Sequence, residues 1–132
     1  MSILALIPAR AGSKSIKNKN IKKLKKKYLI FYPIETAKKI KEINRIIVST
    51  DSKKIAKIAI KGGAEIPFIR PKKISKNNSL DIEYIKHFIN KMEIKNKKTI
   101  IVILRPTTPI RDYKLIRKAI NEFRLGKYDS LR

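Results

Sequence analysis

Residues 7–20 read IPARAGSKSIKNKN and set Arg10, Lys14, Lys17 and Lys19 on one short stretch directly after an apolar run. Like charges this close repel one another unless an anion lies among them. Arg10 supplies a planar fork of donors, the lysines supply point charges, and backbone N–H groups around Gly12 and Ser13 can turn toward phosphate oxygens. Asn20 adds amide donors and an acceptor suited to a sugar or a base. The stretch is neither the GxxxxGK[ST] phosphate loop nor GxGxxG, so neither fingerprint specifies its ligand. Taken alone, it also fits a solvated basic turn.

More polar clusters follow further apolar runs: STDS at 49–52, RPKK at 70–73 and RPTTPIR at 105–111. In open α/β sheets ligands lie beyond the carboxyl ends of the strands. Arg10, Lys19, Arg70, Arg105 and Arg111 are therefore expected to converge on one crevice despite their separation in sequence. Asp51 is expected to cap the helix starting at Ser52, His87 to be structural or superficial, and Thr107 and Thr108 to be candidates for capping the last helix.

The elements that would position these residues are legible as periodicities. ILALI (3–7), RIIVST (45–50), EIPFI (65–69) and IIVIL (100–104) are nearly continuous apolar runs rich in β-branched residues, as in strands buried on both faces of a parallel sheet. Helical spacing lies between and after them: Ile34, Ala37 and Ile40; Ile55, Ile58 and Ala59; Ile82, Ile85, Phe88, Ile89 and Met92; Leu115, Ala119, Ile120 and Phe123. Gly62-Gly63 should stop the second helix. The order βαβαβαβα predicts a three-layer α/β sandwich. GKYDSLR (126–132) reads as a turn entering another strand. No repeat or linker divides residues 1–132, which are read as one domain.

At 132 residues the chain can bury a real core. It contains no cysteine, which excludes a disulfide scaffold and a zinc–thiolate site and fits a cytoplasmic protein. No apolar stretch is long enough to span a bilayer, and no basic segment precedes an apolar one at Met1–Ile7, so neither a membrane anchor nor a signal peptide is expected. The net charge of +24 comes mostly from lysines spread between Lys14 and Lys127. A lysine-biased, solvated surface accounts for it, without a specific nucleic-acid partner. The rival is a basic nucleic-acid-binding domain, although KKLKKKY (22–28) lacks interleaved aromatics.

Three segments in order, IPARAGSKSIKNKNIKKL, IIVSTDSKKIAKIAIKGGAEIPFIRP and LRPTTPIR, resemble the acylneuraminate cytidylyltransferases, the CMP-sialic acid synthetases and their relatives that activate bacterial nonulosonic acids. The resemblance covers essentially the whole chain. It implies a Rossmann-like nucleotidyltransferase fold with a mainly parallel sheet, usually a homodimer. It also implies magnesium-dependent transfer of CMP from CTP to a nine-carbon 2-keto sugar acid, with release of pyrophosphate. By position, Arg10, Gly12, Ser13, Lys14 and Lys19 would hold the triphosphate, with Arg10 and Lys19 as the catalytic cations. Asn20 would contact the nucleoside and Arg70 the cytosine side. Ser79, Asp81, Arg105 and Thr107 would border the sugar acid.

The chain departs from the family pattern at several points. Ser15 and Lys17 stand where glycine and proline are common, Arg105 where glutamine is frequent, and SKNNSLD (75–81) lacks the usual acidic residue before its Asn/Ser run. The resemblance places the magnesium aspartates, the dimerisation arm and the aromatic sugar contacts beyond residue 132. The expectation is an N-terminal CTP-binding portion, truncated at its C-terminal side, with no metal ligands of its own and no turnover alone. A CTP-binding remnant is the alternative within the same fold.

Overall fold

Ile3–Pro8 form β1, and Ile3 through Ile7 are all buried because both edges and both faces of this strand are covered. In a computed structural model describing residues 2–12, 18–108, 111–126 and 129–130, β1 pairs in parallel with β4 (Arg45–Ser49) on one side and β5 (Ile100–Ile103) on the other. The registers run Leu4↔Arg45 to Pro8↔Ser49 and Ile3↔Ile100 to Leu6↔Ile103. All three strands thus deliver their carboxyl ends to one rim.

Side-chain alternation along β1 explains its unbroken apolar sequence. Ala5 and Ile7 join a core with Ile30, Ile34, Ala37, Ile55 and Ala59, from α1 (Phe31–Lys38), its approach, and α2 (Lys53–Lys61). Leu4 and Leu6 point to the opposite face and pack with Ile47, Tyr84 and Phe88, the last two from α3 (Asp81–Lys91). Ile3 and Ile100 meet Ile40 and Ile120, bringing α4 (Tyr113–Leu125) to the same side as α1. Helices on both faces of a parallel sheet make the expected three-layer sandwich.

The third apolar run is a correction. EIPFI adds only one parallel bridge, Ile47↔Glu65, with Glu65 N–H donating to Ile46 O at 2.9 Å and Val48 N–H to Glu65 O at 3.1 Å. Pro67 has no N–H with which to continue a ladder, and the chain leaves the sheet until Arg70 N–H reaches Thr50 O at 2.8 Å. The lysine-rich run 22–28 lies just ahead of α1. It forms a two-stranded hairpin, β2 (Lys23–Leu24) with β3 (Lys27–Tyr28). Its turn residues Lys25 and Lys26 both have positive φ, 52° and 67°, the geometry that matches strand twist in two-residue hairpins.

Gly62 and Gly63 end α2 as expected. Gly63 has φ 99°, and a Cβ on Gly62 would sit 2.8 Å from the Phe31 ring. Exposed lysines stand on all four helices, hence on both sides of the sheet. No helix among the described residues is long and apolar enough to cross a membrane.

Candidate functional site

Beyond the strand ends lies a cleft of about 290 Å³ whose wall is drawn from four parts of the chain. The exit of β1 supplies Arg10 and Gly12, and the 3₁₀ turn Lys19–Ile21 supplies Lys19 and Asn20. The segment leading into α3 supplies Arg70, Ser79 and Asp81, and the exit of β5 supplies Arg105 and Thr107. Of the residues singled out from the sequence, these nine come together here. Ser13 and Lys14 lie outside the described residues.

The first wall is held by its backbone. Ala9 N–H donates to Ser49 O at 2.9 Å, Ala11 N–H to Asp51 Oδ1 at 2.8 Å, and Asn18 N–H to Ala11 O at 2.8 Å. Asn18 takes a left-handed φ of 56° to make that closure. Asn20, buried, donates its Nδ2 to Arg10 O at 2.9 Å. Ala11 and Asn18 are therefore held together, and the Arg10 guanidinium donates to Asn77 Oδ1 at 2.8 Å.

Arg70 forms the second wall and is only 4% exposed. Its Nε donates to Ser49 Oγ at 3.0 Å and its Nη2 to Ser49 O at 2.9 Å, while the guanidinium lies 4.9 Å from the Tyr84 ring centroid. Burial lowers its pKa from the ordinary arginine value, opposed chiefly by the carboxylate charge of Asp51 and also by that of Asp81. The group stays cationic, because an arginine has a wide margin above neutral pH. Tyr84, also buried, has its pKa raised, chiefly by burial, and remains a neutral phenol. Tyr84 lines the cleft, and its hydroxyl is buried with no hydrogen-bond partner among the described residues.

Arg105 pairs with Asp81 across the third wall. Arg111 does not join them. Its Nε donates to Thr108 O and its Nη2 to Arg105 O, both at 2.7 Å, so it braces the 105–111 loop from behind. Two capping expectations also change. Ser52, not Asp51, caps α2, its Oγ accepting from Ile55 N–H at 3.2 Å. Asp112, not Thr107 or Thr108, caps α4, accepting from Lys114 N–H at 2.9 Å. His87 lies off the cleft, edge-on to Phe68 at 5.0 Å, with its pKa lowered by burial first and then by Lys91 and Arg70.

Sequence reasoning missed Asn77, Tyr84 and Lys76 as cleft residues. Tyr84 falls outside the apolar spacing read for α3, and only the fold shows that it is buried and lines the cleft. Arg10, Lys19, Arg70, Lys76 and Arg105 face one bordering carboxylate, Asp81. Such an excess of fixed cations suits a polyanionic ligand.

Magnesium, which the resemblance implies, finds no matching donor set here. Among the described residues no three His, Asp or Glu side chains come together as a metal would require. Asp81 is engaged by Arg105, and Asp51 by Ala11 and Lys72.

The structure is a three-layer α/β sandwich with a cationic cleft at the strand ends. Within that class the chain belongs to the cytidylyltransferase family, whose pattern matches residues 4–131. It is 36% identical over 127 residues to the N-acylneuraminate cytidylyltransferase of Escherichia coli O18:K1:H7, covering 96% of this chain and 29% of that protein. It is 37% identical over 121 residues to the CMP-N,N'-diacetyllegionaminic acid synthase of Legionella pneumophila, covering 91% of this chain and 52% of that one. Among solved structures, CMP:2-keto-3-deoxy-manno-octonic acid synthetase complexed with CTP shares the fold, with a TM-score of 0.73 at 15% identity, over 92% of this chain and 46% of the other. The chain thus spans between about a third and about half the length of these proteins, at 29% and 52% of the two relatives and 46% of the structure.

Proposed function

We propose that this chain forms the CTP-binding part of an enzyme that transfers CMP from CTP to a sialic-type nonulosonic acid in the cytoplasm. In that reaction the anomeric hydroxyl oxygen of the sugar acid attacks the α-phosphorus and loses its proton. The bond from the α-phosphorus to the bridging oxygen breaks, and pyrophosphate leaves. Negative charge grows on the phosphate oxygens as this happens, and fixed cations stabilise it without reorganising. Arg10 and Lys19 take that role, with Ser13, Lys14 and the Gly12 backbone beside them. Asn20 and Arg70 border the nucleoside, and Ser79, Asp81, Arg105 and Thr107 border the acceptor. The complete protein is expected to pair with a second copy of itself.

The observation that carries this reading is the meeting of Arg10, Lys19, Arg70 and Arg105, from four separate segments, around one cleft. Family membership supports cytidine as the nucleoside. The spread of exposed lysines over all four helices supports a solvated surface over a dedicated nucleic-acid face.

The test is calorimetric titration with CTP, UTP and ATP at about 150 mM salt, where loosely held phosphate ligands are released. CTP should bind tightest, because a site built to hydrogen-bond one base leaves groups unpaired with another. Lys19→Ala should weaken CTP binding by about 1.5–3 kcal/mol, the scale of a charge-assisted hydrogen bond. Equal binding of all three nucleotides, falling steeply with salt, would replace this reading with general polyanion attraction.

A further inference from the structure

We propose that Asp51 is the positioning residue of the triphosphate loop, acting through the Ala11 amide. This rests on the CTP-binding reading above. A nearly buried carboxylate behind a cleft for polyphosphate is electrostatically adverse to the ligand, since like charges repel across a poorly screened path. Asp51 sits there nonetheless, its side chain 5% exposed. Its two oxygens have different partners. Oδ1 accepts from Ala11 N–H at 2.8 Å, and Oδ2 from Lys72 Nζ at 3.3 Å. Lys72 is 79% exposed, so that pair is screened and weak. The bond to Ala11 is the consequential one, because its acceptor is nearly buried, so no water replaces it for the Ala11 donor.

Ala11 lies between Arg10 and Gly12, both of which border the cleft. Its carbonyl is taken by Asn18 N–H at 2.8 Å, so the Asp51 bond fixes the other side of the same residue. The neighbours of Asp51 in the β4–α2 turn complete the arrangement. Ser49 O receives Ala9 N–H and the Arg70 guanidinium, and Thr50 O receives Arg70 N–H. One turn, STDS, therefore sets the spacing between the wall that carries Arg10 and the wall that carries Arg70. Asp51 does not border the cleft, so it works by holding the loop at the distance the phosphates need.

The prediction separates a hydrogen bond from a charge. Asp51→Asn keeps an Oδ1 acceptor for Ala11 and removes the charge, whereas Asp51→Ala removes both. CTP and CMP affinities are measured by calorimetry on the 132-residue chain and both variants. Ala11 amide exchange is measured by NMR, and urea midpoints check folding. Asp51→Ala should weaken CTP by about tenfold or more, the loss of one such bond, leave CMP within about twofold, and speed Ala11 exchange. Asp51→Asn should hold all three near the parent values.

Parallel losses of CTP and CMP, or an Asn variant as impaired as the Ala variant, would overturn the proposal. Should Asp51→Ala fail to fold, Asp51→Glu displaces the same oxygen by one methylene, and an unchanged CTP-to-CMP ratio there is equally fatal. A parent chain that does not prefer CTP to CMP defeats the CTP-binding reading instead. The Ala11 exchange rates then still show whether Asp51 holds the loop.

Discussion

Replacing Arg70 with lysine keeps the buried positive charge and changes only its geometry. The guanidinium reaches Ser49 Oγ at 3.0 Å and Ser49 O at 2.9 Å while lying 4.9 Å from the Tyr84 ring centroid. A single ammonium cannot reach both oxygens and keep its position over the ring. Each bond from a charged donor is worth about 1.5–3 kcal/mol, and lysine retains at most one. The stacked contact adds about 1 kcal/mol. Ser49 is fully buried, so its hydroxyl is left without that partner in a place water does not reach.

The desolvation cost of a cation is present in both proteins and cancels to first order. Arg70→Lys should therefore lose about 3 kcal/mol, a large share of the roughly 5–15 kcal/mol a domain of this kind possesses. Urea denaturation followed by circular dichroism measures it, and the melting temperature should fall by about 10 °C. A loss under about 1 kcal/mol would show that the Ser49 bonds are not what fixes this wall.

Tyr84 lines the cleft, and Tyr84→Phe removes its buried hydroxyl, which has no partner among the described residues, so stability should hold within about 0.5 kcal/mol while CTP or acceptor binding weakens by about 1 kcal/mol. Unchanged binding of both would place that hydroxyl outside ligand reach. Arg105→Gln breaks an ion pair whose side chains are 50% and 54% exposed, and urea midpoints should move by no more than about 0.5 kcal/mol. A larger drop would make the pair structural. The lowered pKa of His87 means that the unfolded chain binds its proton more readily than the folded one. That group's contribution is fully present above the unfolded value of about 6.5 and is lost as pH falls below it toward the depressed folded value. Melting temperature should therefore decline between about pH 7.5 and about pH 5.5, and His87→Gln should flatten that slope; parallel slopes would assign it to other groups.

Much of the fold was legible because its signals are local. Unbroken β-branched runs mark strands covered on both faces, and β1, β4 and β5 carry them. The glycine pair at 62–63 stops α2, and the positive φ of Gly63 is a local backbone feature, whereas the close approach of Gly62 to Phe31 is made only by the packing of α1 on α2. The run at 65–69 misled for an equally local reason. Its apolar residues pass for a strand, but Pro67 cannot extend a ladder past Glu65.

The chain's own order of residues determined which cations stand at which strand ends, and strand polarity alone implies that these ends share a rim. Only the tertiary structure decided what each side chain does on arrival. Asp51 and Ser52 are equally good helix caps in sequence, yet Ser52 takes α2 and Asp51 turns to Ala11, a residue separated from it by most of the first β–α–β unit. Arg105 and Arg111 share one loop, but Arg105 faces the cleft while Arg111 spends its donors on carbonyls of that loop. Hydrogen-bond partners of this kind depend on which backbone groups happen to lie unpaired within reach, and no spacing along the chain encodes that.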